Sequence, residues 1–299
     1  MFLRQFQYLV ALEQEGHFGR AAERCNVSQP SLSSAIKHLE EELGIPIILR
    51  HQKFQGFTEE GKRVIEWSKR LLADRSAMLE ELAIMQETLH GRLRIGAMPM
   101  SSPLLPQMSR LFHERYPGVQ LDIQFLGEDK LTLGLINFEL DVGISYLDQA
   151  LPDRIVTLPL YEEPFHLLLP DNDWLADKPI ATWKEASELP LCLLSPFMRE
   201  RQLMDEAFKS VDCEPMAKLE SNSIFQLAFH VMAGDLATIV PKRFTQLPGT
   251  RERLLEEPTV SQKLGLMWVK GNPMLPMAKA IVELMEEAVA DNLFDEGAS

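Results

Sequence analysis

The chain has 299 residues, 45% of them hydrophobic and 25% charged, the composition of an ordinary globular protein with two or three domains. Its formal net charge of −14 speaks against a partner held by bulk electrostatics, such as nucleic acid, and no run of about 18 apolar residues exists to cross a membrane. Three cysteines, Cys25, Cys192 and Cys213, have neither CxxC spacing nor a histidine cluster beside them, which excludes the usual zinc and disulfide frameworks and leaves no need for a metal or cofactor.

The acidity is uneven. Residues 1–60 carry a net −2 and residues 91–299 a net −12. The N-terminal part is therefore not basic, and DNA binding has to rest on motif geometry. The opening MFLRQFQYLVALEQEGHF interrupts its apolar stretch with charge and glutamine, unlike a signal peptide, so a cytoplasmic location is expected.

Three short bursts of helical periodicity come first. Phe2, Phe6, Leu9 and Val10 form one stripe, Phe18, Ala21, Ala22 and Cys25 a second, and Leu32, Ile36, Leu39 and Leu43 a third. The second and third are separated by Asn26, Val27 and Ser28, a turn suited to two crossed helices. Ser28 is a helix cap, Pro30 suits the first turn, and Gly44 suits a helix end. Residues 45–57 read as a two-stranded wing. From Thr58 and Gly61 to residue 89 the chain reads as one long helix, in which Val64, Leu71, Met78 and Met85 stand seven apart, with Leu82 and Leu89 three or four residues further on. That spacing fits a coiled-coil seam, parallel or antiparallel, weakened by Ser68 and Arg75. A single amphipathic helix lying on its own domain fits it as well.

After Gly91 short apolar runs alternate with helical patterns, which indicates α/β layering. Strands are expected at 93–97, 121–126, 142–146, 165–169, 191–194, 238–240 and 264–269. Helices are expected at 104–116, 131–138, 198–211, 224–233 and 276–294.

In the third helix the stripe from Leu32 to Leu43 must face the core, which leaves Gln29, Pro30, Ser33, Ser34 and Lys37 on the opposite face. Short hydroxyl and amide side chains let a helix axis enter the major groove and still reach base edges. Taken singly these residues are ordinary on any exposed helix. Together, Ala21-Ala22, Val27-Ser28-Gln29-Pro30-Ser31-Leu32-Ser33, Ile36, Leu39-Glu40, Leu43-Gly44, Leu49-Arg50 and Thr58-Glu59-Glu60-Gly61 stand in the order and spacing of LysR-type transcriptional regulators, and the chain closely resembles that family. The resemblance implies DNA contacts at Gln29, Pro30, Ser33, Ser34 and Lys37, and in the wing at Arg50 and Lys53. His17 and Gly19 depart from the small hydroxyl residues often seen there, which puts phosphate contacts at the second helix in question.

The resemblance continues through Arg92-Leu93-Arg94-Ile95-Gly96, Phe112 to Pro117, Leu140-Asp141-Val142-Gly143-Ile144, Pro170, Trp174-Leu175-Ala176, Gly234 and Pro241. It implies an α/β chain with an N-terminal winged helix-turn-helix at 1–60, a linker and dimerisation helix at 61–90, and a periplasmic-binding-protein-like effector domain at 91–299. Lobe one of that domain would hold about 91–163 and 269–299, and lobe two about 164–268. Ligands in such folds lie beyond the carboxyl ends of strands, near helix N-termini. Here those places are Met100, Ser101 and Ser102, then Glu128, then Pro196, Phe197 and Met198, then Asn222 and Ser223. Capping or solvation would account for each equally well. The implied partners are double-stranded operator DNA, a small-molecule effector, RNA polymerase and further copies of the chain, as dimer or tetramer.

No catalytic constellation is present. Seven histidines are scattered without metal spacing, and no GxSxG, P-loop or dinucleotide fingerprint occurs, so an enzyme is not expected. A redox sensor built on Met98, Met100, Met198 or the cysteines is the other alternative. Glu128 is the most informative departure, because the family commonly carries Ser or Thr there, and Gly where Phe138 stands. A carboxylate ligand about 4 Å from Glu128 would be repelled by roughly 4 kcal/mol at an effective dielectric near 20. The expected effector is therefore neutral or amine-bearing, or an anion held elsewhere by Ser101, Ser102 and Asn222, unless Glu128 merely faces solvent and favours the helix dipole.

Overall fold

The structure is a computed structural model that describes residues 1–50, 54–84, 89–148, 150–171, 175, 179–271 and 274–294, with the backbone alone at Arg50, Glu80, Ala83 and Ile84. Lys53, Met85, Trp174 and Ala176 lie outside the described residues, as does the acidic end at 295–299.

Helices α1 (Leu3–Glu15), α2 (Phe18–Arg24) and α3 (Gln29–Leu43) enclose a small core of Phe6, Leu9, Leu12, Ala21, Ala22, Leu32, Ile36 and Leu39. Their ends have local causes. Gly16 and Gly44 take left-handed φ values of 59° and 69° at the ends of α1 and α3, and the Ser28 hydroxyl accepts the Ser31 N–H at 3.3 Å to open α3. Strands β1 (Ile48–Arg50) and β2 (Phe54–Phe57) pair antiparallel as the wing. Buried Glu40 ties the wing to α3, because its Oε1 accepts the N–H groups of Ile47 at 2.8 Å and Ile48 at 3.1 Å.

Helix α4 (Glu59–Ile84) starts at Thr58, whose hydroxyl accepts the Gly61 N–H at 2.8 Å and donates to the Pro46 carbonyl at 2.6 Å. Gly61 is required here, since a Cβ would lie 2.2 Å from the Ile47 carbonyl oxygen. The expected seam is corrected at both ends. Val64 packs against the N-terminal core, and Leu89 belongs to the core of the following domain. Ser68 does not interrupt the outer face, because it is buried on the inner one and donates to the Val64 carbonyl at 2.6 Å. What remains open to solvent is a stripe of Trp67, Leu71, Met78 and Leu82, between 43% and 62% exposed.

The second part of the chain runs through β3 (Gly91–Ala97), α5 (Leu105–Arg115), β4 (Val119–Phe125), α6 (Glu128–Ile136), β5 (Val142–Tyr146) and the long β6 (Ile155–Pro170). It continues through β7 (Ile180–Thr182), α7 (Trp183–Ser187), β8 (Leu191–Leu194), α8 (Arg199–Ser210), β9 (Ala217–Ser221) and α9 (Ile224–Ala233). It closes with β10 (Thr238–Pro241), β11 (Thr250–Glu256), β12 (Ser261–Val269) and α10 (Pro276–Ala290).

Lobe one is a sheet in the order β4-β3-β5-β12-β6, with β3, β4 and β5 parallel and β12 antiparallel to both its neighbours. Strand β6 then passes into lobe two, where Phe165 to Pro170 pair with β10 and β11. Strand β7 extends that sheet beside β11, and the β8–β9 pair joins it through Leu191 opposite Ala237 and the Thr238 hydroxyl on the Cys192 carbonyl at 2.7 Å. The expected return to lobe one at residue 269 is corrected by this pairing. Strand β12 is already opposite β5 at Leu264, so the chain recrosses near residue 261. Met98, Met100 and Leu104 of lobe one share a continuous core with Leu168, Cys192, Leu194, Ile224 and Val240 of lobe two.

Candidate nucleic-acid interface and inter-lobe site

Gln29, Pro30, Ser33, Ser34 and Lys37 are all exposed along one side of α3, opposite buried Leu32, Ile36 and Leu39. The Lys37 ammonium lies 3.6 Å from Glu41 one turn on. Both groups are well exposed, so the pair is weak and an incoming phosphate competes readily for the lysine. Arg50 ends β1, and its side chain, like the whole of Lys53, falls outside the described residues. His17 takes over the capping role of a hydroxyl at the start of α2, with its Nδ1 accepting the N–H groups of Gly19 at 3.0 Å and Arg20 at 3.4 Å. Gly19 belongs with it, because a Cβ there would press to 3.1 Å from the imidazole ring. The two departures from the family pattern are one exchange.

In the C-terminal domain, Met100 and Ser101 lie beneath the surface, Met100 in the shared core and Ser101 donating to the Met98 carbonyl at 2.7 Å. Ser102 donates to the Pro99 carbonyl in the same 3₁₀ turn. Pro196 and Phe197 are exposed, Met198 precedes α8 half-buried, Asn222 is exposed, and Ser223 caps α9 by accepting the Gln226 N–H.

Glu128 is only partly open to solvent. It opens α6 half-buried, burial raises its carboxyl above the ordinary range, the Arg199 guanidinium on α8 of the other lobe draws it down, and neighbouring Asp129 raises it. The N-terminal ends of α6 and α8 thus lie within electrostatic reach of each other. Glu200, in the first turn of α8, is 1% exposed, and its Oε1 has no hydrogen-bond partner. Burial and the nearby Glu128 charge raise its carboxyl, which its own backbone N–H and Arg199 partly offset. Burial, with the charges of Glu163 and Glu200, lifts buried Tyr146 well above the usual phenol, and its hydroxyl donates to Glu163 at 3.5 Å. The Glu163 side chain also accepts the Arg243 N–H at 3.5 Å, and the Arg243 guanidinium sits 4.2 Å over the Tyr161 ring.

Sequence reasoning missed Glu200, Tyr146 and Glu163. A signal for Glu200 existed, since it stands one helical turn before Met204 and in phase with Phe208, on the apolar face of α8. An acid in that register is buried unless the helix end is frayed.

The three thiols lie in three different cores. Cys192 is fully buried, and burial pushes it up to about 11. Among the described residues no group of three His, Cys, Asp or Glu is arranged to hold a metal ion, and no helix is long and apolar enough to cross a membrane.

Comparison with known proteins matches residues 3–62 to the bacterial regulatory helix-turn-helix of the lysR family and residues 86–290 to the LysR substrate binding domain. A hydrogen peroxide-inducible genes activator of Pectobacterium carotovorum subsp. carotovorum is 28% identical over 96% of both chains. A full-length OxyR variant from Pseudomonas aeruginosa superposes with a TM-score of 0.76 at 28% identity, over 97% of this chain and 94% of that one. CbnR complexed with its target DNA shares the fold, with a TM-score of 0.66 at 20% identity over 96% of this chain and all of that one. With a helix-turn-helix whose outward face is polar, a sheet domain of two lobes and both family domains matched in order, the chain belongs to the LysR-type family of DNA-binding transcriptional regulators.

Proposed function

We propose that the outward face of α3 reads operator DNA in the major groove, and that a small molecule held between the lobes sets how strongly the DNA-bound protein acts. The single observation that carries the first half is the division of α3, with Gln29, Pro30, Ser33, Ser34 and Lys37 exposed against a fully buried opposite side. Arg50 and Lys53 of the wing add phosphate contacts in this reading. Footprinting tests it. Gln29→Ala or Ser34→Ala should relax sequence preference, whereas Lys37→Ala should weaken all DNA alike and lower the salt slope by about 1. Unchanged footprints in the three variants would refute it.

Ser102 forms the lobe-one floor of the effector site in this reading, over buried Met100 and Ser101, with Glu128, Pro196, Phe197 and Met198 as its rims and Asn222 and Ser223 as its far wall. The protein works as a dimer joined along the Trp67–Leu82 stripe of α4. Two dimers join through the sensing domains, where Phe225, Phe229 and Met232 leave a second apolar stripe on α9 exposed. It acts in the cytoplasm with RNA polymerase as a further partner.

The name of the Pectobacterium relative refers to hydrogen peroxide, and Cys192 argues against carrying that over to this thiol. A thiol at about 11 and fully buried supplies almost no thiolate at neutral pH. Met98 and Met100 are buried as well, whereas Met198 is half-buried. Mass spectrometry of the native protein after peroxide treatment should find Cys192 unmodified; its ready oxidation would restore the redox reading.

A further inference from the structure

Where a cleft built for anions would present bare helix ends, this one presents carboxylates. Helix α6 opens with Glu128 and α8 carries Glu200 in its first turn, and neither helix has a side-chain cap. The two acids come from different lobes, and the Glu128 charge reaches Glu200 across the seam. Among the described groups whose charge reaches them, Arg199 is the cation, against Asp129 on α6; Glu163 on β6, beside buried Tyr146 on β5, has its own cation in Arg243, whose N–H it accepts and whose guanidinium lies over Tyr161. One guanidinium facing two carboxylates leaves the place net negative.

Glu200 Oε1 supplies the second observation, because it is a buried carboxylate oxygen with no donor from the protein. Buried polar atoms are almost always satisfied, and an exception calls for an explanation. A bound N–H donor provides one. A metal ion does not fit, since no three of the described His, Cys, Asp or Glu residues are grouped to hold one. An organic cation fits better, with several donors and an alkyl or aryl body to lie on half-buried Met198.

We propose that the effector of the inter-lobe site is a small organic cation, a protonated amine or guanidinium, whose N–H groups donate to Glu200 Oε1 from lobe two and to Glu128 from lobe one. This rests on the reading that the inter-lobe site is the effector site, and it names the class of molecule that site takes. One molecule then spans both lobes, and its binding energy draws them together. Because burial holds both carboxyls above their ordinary range, the cation displaces protons as it binds, and its affinity falls as pH is lowered.

The test uses the full-length protein and calorimetric titration with agmatine, 1,4-diaminobutane and benzylamine. Benzoate and butyrate serve as anionic counterparts, benzyl alcohol as a neutral one, and magnesium and zinc as metal ions. At least one of the three amines should bind below about 1 mM and release protons, as read from the heat in buffers of different ionisation enthalpy. Glu200→Gln should weaken it about thirtyfold or more, and Glu128→Gln should weaken it by a smaller factor. Glu200→Gln should also melt no lower than the wild type in the absence of ligand, because it removes a buried unpaired charge. Failure of all three amines to bind, equal binding to both variants, preferential binding of benzoate, butyrate, benzyl alcohol or a metal ion, or a Glu200→Gln protein that melts well below the wild type would each overturn the assignment. If an amine binds as expected but leaves the operator footprint unchanged at saturation, the assignment of ligand class stands and the reading of this cleft as a control site falls.

Discussion

Gly61 shows how one missing methyl group seats a domain. The α4 backbone runs so close to the Ile47 carbonyl that a Cβ would sit 2.2 Å from its oxygen, a contact with rigid backbone that no side-chain rotation relieves. Gly61→Ala should cost at least about 1–3 kcal/mol of stability, seen as a lower denaturation midpoint with an unchanged slope; a shift below about 0.5 kcal/mol would show that the wing gives way freely. Glu200 and Glu128 make the opposite kind of residue-scale statement. Their folded-state carboxyls lie above the unfolded value, so their contribution is fully present at low pH and is lost as pH rises through the raised value. The melting temperature of ligand-free Glu200→Gln should therefore gain on the wild type as pH rises from about 4 to 8, and a gap independent of pH would contradict it. At this scale the sequence showed Glu128 through its departure from the family pattern. Tyr146 and Glu163 were hidden, because nothing in a strand's alternation tells which end of it faces another lobe.

Among the elements, those with a strong period and local stops were legible, and those that break their own pattern were not. Helix α3 is bounded as expected by Ser28 and Gly44, and α9, expected over 224–233, by Ser223 and Gly234. Strand β6 was read only from Phe165 onward, because Pro159, Pro164 and the pair Glu162-Glu163 interrupt its first half. It is a strand nonetheless, since its partner β12 supplies the register from Ile155 to Pro164. Strands β9 and β11 were missed because AKLES and TRERLLE carry the charges of edge or half-exposed segments. On α4 the outer apolar stripe belongs to no core of this chain. Leu71→Glu with Met78→Glu should leave the helix intact by circular dichroism and convert the protein to monomers in sedimentation, with loss of operator binding because half-sites are no longer spanned. Oligomers of unchanged mass would refute the stripe as an interface.

Across the whole molecule, Lys69 links the parts. It is 7% exposed on the inner side of α4, with its ammonium 2.9 Å from Glu13 of α1 and 3.5 Å from Glu139 before β5. Lys69→Met should leave two carboxylates facing each other, lower stability by about 1–2 kcal/mol and loosen the DNA-binding part against lobe one. A larger radius of gyration in small-angle scattering would report that loosening, and an unchanged one would assign the pair to local packing.

The strand order β5-β12-β6 also dictates how the protein comes off the ribosome. Lys263, at the start of the pairing with lobe one, follows its partner Asp148 by 115 residues. At about 5–20 residues per second, roughly 6–23 s pass between them. From the completion of β6 to the end of that interval, β5 and β6 each hold an open edge, the kind of surface on which neighbouring nascent chains pair by mistake, while the helix-turn-helix, whose core is local, is already complete. A newborn chain is thus a finished DNA-binding domain attached to an unfinished sensor. Ribosome-stalled chains ending at residue 260 should resist protease over the first 57 residues and be cut freely in lobe one, and protection of lobe one at that length would show that β12 is not its closing strand.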